Sequence, residues 1–181
     1  IKIYYYSIMS NMLFSDDRRW KNVKITSKNN DPVIKADRKL GDKTERYLHP
    51  LLCKWFNCKF DTDRSGWRCL DMMDHSNKIA VEIKTRRNRS DKYNETMVGE
   101  NKYKRARKLM LKGWKVFLFI KFTDGIYFYT FPTKLESDIR IDDGVDRRRG
   151  FEDRKKHLYI PMYHFTKMRE YDSYIDFLEK V

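Results

Sequence analysis

Asp71, Glu82 and Lys84 are the residues whose types and spacing point most directly to chemistry. Residues 68–74 and 79–86 read as two strands joined by the polar stretch 75–78, a hairpin. Side chains alternate across a strand, so Ile79, Val81 and Ile83 share one face and Ala80, Glu82 and Lys84 the other. A four-residue loop pairs Asp74 with Ile79, and that register sets Asp71 directly opposite Glu82. Two carboxylates across a ladder repel. A hard divalent cation would offset the repulsion, since Mg²⁺ is commonly held by one or two carboxylates with water and substrate phosphate oxygens. Lys84 would hold the attacking water, or deprotonate it if a metal or burial lowered the lysine's pKa. Such a group suits metal-assisted attack of water on a phosphodiester. The plainer reading makes Glu82 and Lys84 an exposed strand ion pair with Asp71 an incidental neighbour. The register of Asp71 and the basic stretch that follows favour the site. Asp74 falls on the opposite face in this register, with Leu70, Met72 and Ile79, and reads as a turn residue; a slip of one residue would reverse that.

The elements that must position these groups follow from periodicity. Asn29 to Pro32 is a turn. A helix is expected over 42–56, with Tyr47, Leu48, Leu51, Leu52, Trp55 and Phe56 on its buried face and a kink or restart at Pro50. Asp42 and Glu45 have capping-box spacing at its start. Residues 59–63 read as a short strand and 64–66 as a turn. Beyond the hairpin, 87–97 reads as a polar loop. A helix over about 99–112, with Tyr103, Ala106, Leu109 and Met110 on one face, stops at Gly113. Residues 114–122 are nearly continuous apolar, as in a strand covered on both faces. Thr123 to Gly125 turns the chain into a strand over 126–131. The charged stretch 134–156 is a loop or a nucleic-acid contact, 157–162 an edge strand carrying Pro161, and 170–181 a terminal amphipathic helix. The expected architecture is a single α/β domain over 1–181, with a mixed central sheet flanked by helices.

Composition narrows the partners. The 181 residues carry 40 Lys and Arg against 26 Asp and Glu, a formal charge of +14. The pI is about 9.6 and the mean hydropathy −0.83. An aromatic content of 15% argues against disorder. The longest central apolar run, 116–120, is too short to span a membrane. Lys84 to Lys108 holds ten Lys or Arg against Asp91, Glu95 and Glu100, half of the net charge in one stretch. The partner is therefore anionic, a nucleic acid before an acidic membrane face. Cys53, Cys58 and Cys69 match no disulfide framework and read as reduced thiols of an intracellular, non-secreted protein. With His75 they make only a loosely spaced zinc set. Residues 1–14 lack the layout of a signal peptide and read as an element packing on the core. The many aromatic residues, Tyr4, Tyr5, Tyr6, Trp20, Trp67, Tyr93, Tyr103 and Trp114 among them, read mostly as core.

An Asp followed, after a short hairpin, by Glu-x-Lys, here Asp71 and then Glu82, Ile83 and Lys84, resembles the signature of the PD-(D/E)XK nuclease superfamily. Leu70 stands where that family usually has Pro, which supplies no ligand. The element order is similar to the restriction-endonuclease-like core over about 42–131. The runs 83–86 and 99–102 resemble small members from large DNA viruses and phages. The resemblance implies a Mg²⁺-dependent endonuclease, with Mn²⁺ able to substitute, acting on nucleic acid, DNA in preference to RNA. It implies Asp71, Glu82 and the Ile83 carbonyl as metal ligands and Lys84 as the residue that positions water. Glu45 matches a first-helix carboxylate near the metal and competes with its reading as a cap. Arg86 continues the face of Glu82 and Lys84 and is placed on phosphate. Arg87, Arg89 and Lys92 read as backbone contacts from the loop. The resemblance also implies a polar residue on the following helix that points into the site, for which Asn101, Lys102 or Lys104 could serve; Lys102, in the first turn and unfavourable to the helix dipole, is placed there as a nucleic-acid contact. A double-strand cut would call for a homodimer. The alternative function is a non-catalytic nucleic-acid-binding module on the same fold; intact Asp71, Glu82 and Lys84 favour the enzyme.

Overall fold

The structure is a computed structural model that describes residues 32–61, 70–144 and 155–168. The expectations for 1–31, for the turn at 64–66, for Trp67 and Cys69, for 145–154 of the charged stretch and for a helix over 170–181 lie outside the described residues. By backbone contacts the chain divides into two units, 1–35 and 36–181. Of the first, only the opening turn of a helix, 32–35, is described.

That helix, α1 (Pro32–Phe56), begins ten residues earlier than the periodicity predicts. Pro32 sits at its first position, where a missing N–H costs nothing, and residues 33–41 are mostly good helix formers. Asp42 and Glu45 therefore lie in the helix interior, and the capping box expected of them does not form. The helix passes through Pro50 without restarting. Leu48, Leu52, Trp55 and Phe56 make its buried stripe.

A five-stranded mixed sheet follows, in the order β1-β2-β4-β5-β8. Its strands are β1 (Met72–Asp74), β2 (Ile79–Thr85), β4 (Lys115–Phe122), β5 (Gly125–Thr130) and β8 (Thr166–Lys167). The β1–β2 register is the one expected, Met72 with Val81, Met73 with Ala80 and Asp74 with Ile79. β2 runs parallel to β4; the other pairings are antiparallel. The crossover between β2 and β4 carries β3 (Glu95–Gly99) and helix α2 (Glu100–Met110), which stops before Gly113 at φ +80°. The strand expected over 59–63 shrinks to a single bridge, Asp61 to Met73.

Both faces of the large sheet are buried. Ile79, Val81, Ile83, Phe117, Phe119 and Phe128 pack with the α1 stripe. The aromatic rings there meet mostly edge to face, Trp55 on Phe56 at 4.8 Å and on Phe128 at 5.0 Å. Ala80, Val116, Leu118 and Ile120 pack on the other face with Tyr103, Ala106 and Leu109 of α2. Leu70 joins this second cluster, not the first as the register implied, because the chain leaves ideal ladder geometry at Asp71.

A second sheet, order β3-β7-β6, is antiparallel throughout, with β6 (Arg140–Gly144) and β7 (Lys155–Pro161). It corrects three expectations. The loop at 87–97 ends in a strand, β3. The charged stretch 134–156 contains β6. The strand expected at an edge is the central one, and Pro161 sits at its last position, where its missing N–H is harmless. Val98, Leu158 and Ile160 turn one face of this sheet into the α2-side core.

Candidate metal and nucleic-acid site

The site is built where the β1–β2 ladder breaks. Met73 directs its carbonyl away from β2, to the Asp61 N–H at 2.8 Å. The rungs facing β2 are thus at 74 and 72, and the next would join Leu70 to Ile83. Asp71 takes that rung instead. Its backbone N–H donates to the Val81 carbonyl (3.0 Å), and its Oδ2 accepts the Ile83 N–H at 2.6 Å. One carboxylate oxygen is thereby fixed by the β2 backbone, and the other, Oδ1, lies 4.0 Å from Lys102 Nζ.

Glu82 is wholly buried, at 0% exposure. Lys84 Nζ lies 2.5 Å from its Oε1 and Lys102 Nζ 2.8 Å from its Oε2. Each carboxylate oxygen therefore faces one ammonium charge. Lys102 Nζ also stands 4.0 Å from Asp71 Oδ1, so one ammonium spans both carboxylates. Asp71 and Glu82 therefore open to the same side of the sheet. Burial pushes the Glu82 carboxyl up, Lys84 pulls it down, Asp71 pushes it up and Lys102 pulls it down; the balance lies above the usual Glu range. Asp71, Lys84 and Lys102 are each part-exposed, at the mouth of this buried charge.

A cleft of about 970 Å³ opens over the group. Its walls include Asp71, Ile83, Lys84 and Arg86, with Arg38 and Glu45 of α1. Glu45, freed of the capping reading, is half-buried on this wall. Arg86 also lines the cleft, and its guanidinium donates to the Met97 carbonyl (2.6 Å), a strut between the end of β2 and β3. Arg87 lines the rim and pairs with Asp37 at 2.9 Å. Arg89 is exposed beyond the cleft and pairs with Asp91 (3.2 Å). Lys92, also exposed, lies over the Tyr93 ring at 5.3 Å. The loop carrying them is anchored by Ser90, whose N–H and hydroxyl donate to Asp124 at 2.9 and 2.7 Å.

Asp74 is a turn residue, as the register predicts. It is buried and accepts from Ser76 N–H (2.8 Å), Asn77 N–H (3.1 Å) and Asn77 Nδ2 (2.8 Å). Burial pushes its carboxyl up, but these bonds outweigh it and hold the group below the usual Asp range. Cys58 is pushed up to about 12, by burial first and then by Asp74. A thiol held neutral is a poor zinc ligand. Among the described residues no three or more His, Cys, Asp or Glu side chains cluster for a metal.

The donor set present, the buried Glu82 carboxylate and the part-exposed Asp71 carboxylate at the cleft, is all hard oxygen and fits a hard cation better than it fits zinc. The sealed Glu82 carboxylate, compensated only by lysines, is the observation behind that fit. Sequence reasoning found every member of this group, but it placed nothing on the wall contributed by β7. Lys155, His157 and Tyr159 line the cleft there. Their alternation with Leu158 and Ile160 was the available signal.

Residues 43–168 match the family model described as "Phage putative PDDEXK endonuclease". Among solved structures, the chain is similar to Hjc, a Holliday junction resolvase from the archaeal hyperthermophile Archaeoglobus fulgidus. The identity is 16% and the TM-score 0.45, covering 72% of this chain and 93% of that one. No curated protein matches. No helix among the described residues is long and apolar enough to cross a membrane.

Proposed function

The chain belongs to the phage PD-(D/E)XK endonuclease family, a family of nucleases, and on that premise we propose that it hydrolyses phosphodiester bonds of DNA in a reaction dependent on Mg²⁺, with Mn²⁺ able to replace it. The observation that carries this reading is Glu82, a carboxylate at 0% exposure beside Asp71, held by two ammonium groups. Burying a charge this way costs several kcal/mol, on the order of what a buried ion pair recovers only with good geometry. A fold has little reason to keep it unless the charge has work to do.

Asp71, Glu82 and the Ile83 carbonyl would hold the cation, with Glu45 reaching it through water. When bound, it would supply charge stabilisation at the scissile phosphate and a more acidic water. Asp71 is aimed by the Ile83 N–H, so its ligand geometry is set before any substrate arrives. Lys84 would leave Glu82 to donate to the attacking water and to the phosphate oxygens. That water attacks phosphorus in line and gives up a proton to bulk water, the opposite P–O ester bond breaks, and the departing oxygen takes up a proton from bulk water. Lys102 would keep Glu82 ionised and oriented. Arg86 and Arg87 would meet phosphates at the wall and rim, and Arg89 and Lys92 would meet the strand farther out.

The test uses purified protein and its Lys84→Ala variant on supercoiled plasmid, single-stranded DNA and RNA, with Mg²⁺, Mn²⁺ or EDTA. Metal-dependent DNA cleavage that the variant loses is the expected result. Cleavage undiminished by EDTA, or retained in the variant, would overturn it. Binding without cleavage on every substrate would make the protein a binding module.

A further inference from the structure

The cleft has a second wall that the site chemistry does not use. β7 alternates cleanly. Leu158 and Ile160 are sealed in the core, and Lys155, His157 and Tyr159 line the cleft. A strand with one dry face and one such face is presenting those residues to something.

The wall is preorganised. The Tyr159 ring is held by the Arg140 guanidinium stacked on it at 3.7 Å. Arg140 is itself fixed by Glu95 (2.5 Å) and Asp142 (3.0 Å). His157 Nδ1 is hydrogen-bonded to the Lys155 carbonyl at 2.7 Å, which can only accept, so Nδ1 carries the proton. Nε2 has no protein partner among the described residues. The imidazole lies across Gly144, where a Cβ would come within 2.4 Å of Nδ1. Glycine at 144 is thus what lets the ring lie flat on the sheet. Elsewhere on the cleft lining, Tyr93 is 59% exposed, with Lys92 over its ring at 5.3 Å.

Aromatic rings interleaved with basic side chains along one groove are the pattern that takes unpaired nucleotides, because every base offers a face to stack and every phosphate a charge. A duplex keeps its bases stacked on each other and would leave those rings unused. We propose that this wall binds an unpaired stretch of nucleic-acid strand. Its bases lie on Tyr93 and Tyr159, on the ring faces opposite Lys92 and Arg140, and its sugar–phosphate chain passes Lys155 and His157 toward Asp71 and Glu82. The inference rests on the nuclease reading and adds its substrate class: the cut falls in or beside a single-stranded segment.

The experiment measures fluorescence anisotropy of a labelled single-stranded oligonucleotide and of its duplex in EDTA, where the proposed chemistry is off. It uses wild type, Tyr93→Ala, Tyr159→Leu and Lys155→Glu, each checked for fold by circular dichroism. The expected result is tighter binding of the single strand than of the duplex. Each aromatic variant should lose roughly 5- to 100-fold on the single strand. Lys155→Glu should show a shallower salt dependence. Tyr93→Ala, on an exposed ring, keeps the test sound should Tyr159→Leu disturb the sheet. Preference for the duplex, or unchanged single-strand affinity in the folded variants, would overturn the inference. If metal-dependent cleavage persisted in that case, the nuclease reading would stand. Wall-dependent binding without cleavage on any substrate would overturn the nuclease reading alone.

Discussion

The two faces of β2 show what a single strand can be made to carry. Toward α1 it presents Ile79, Val81 and Ile83, packed against Phe117 and Phe119 and the helix stripe. Toward α2 it presents Ala80, then Glu82 and Lys84. Both faces are closed to water at the strand centre, Val81 and Glu82 each at 0% exposure. They are closed at opposite expense. Burial of the apolar face is favourable by roughly 1.5–3 kcal/mol per large side chain. Burial of Glu82 is unfavourable, and it persists because the apolar face and the parallel neighbour β4 fix the backbone beneath it. Stability sits on one side of the strand and the proposed chemistry on the other, one residue apart.

The contrast can be broken at either face. The largest effect is expected from Lys84→Ala, which should slow metal-dependent cleavage by about 10²- to 10⁴-fold, the usual range for a positioned proton-transfer or water-binding group. Single-turnover rates of the folded protein would show this; removing one of the two ammonium groups beside buried Glu82 also lowers the unfolding midpoint. Phe119→Ala, on the other face, should act on stability alone. A loss of about 3–5 kcal/mol is expected in urea unfolding, with the folded fraction still cleaving. A sharper test is metal itself. Mg²⁺ at roughly 10 to 100 times its dissociation constant should stabilise the wild type by about 1.4–2.7 kcal/mol. Glu82→Gln should abolish that gain, as read by thermal melts with and without EDTA.

The smallest and most local effect belongs to Asp74, which caps the hairpin without entering the site. Asp74→Ala should cost about 1–3 kcal/mol, the usual range for leaving buried donors unmatched, with cleavage intact. The pH dependence has a definite sign. Because the folded Asp74 pKa lies below the unfolded value of about 3.9, its contribution is present above that value and is lost as pH falls through the folded one. Asp74→Asn should therefore flatten the acid limb of the stability curve.

The candidate site was legible because it depends on local register. A four-residue turn and the two-residue period of a strand suffice to bring Asp71 opposite Glu82, and the structure has the expected pairing from Met72 to Asp74. Lys102 was legible through its odd position at a helix N-terminus. The rest of the neighbourhood was not. Glu95–Gly99 holds few strong strand formers, and it is a strand because β7 pairs with it from some sixty residues away. Arg140–Gly144, with two aspartates and a glycine, has poor strand propensity; it serves as a solvated edge against β7, where charge is an advantage. With both neighbours hidden, β7 read as an edge. The early start of α1 was hidden too, since its first turns are polar and lack the apolar period that marks a helix.

By itself the sequence determined the strand faces of β2, the β1–β2 register from Met72 to Asp74, the helix that follows, and the family whose signature those residues carry. All of these are set by spacings short enough for side-chain alternation and turn length to dictate. Only the tertiary structure decided that Glu82 is sealed, that Lys102 reaches across to it, that Asp71 replaces a missing ladder rung, and that a second sheet walls the cleft. Those outcomes turn on contacts between segments far apart in the chain. Burial and charge compensation there are properties of the packed whole, and no local pattern encodes them.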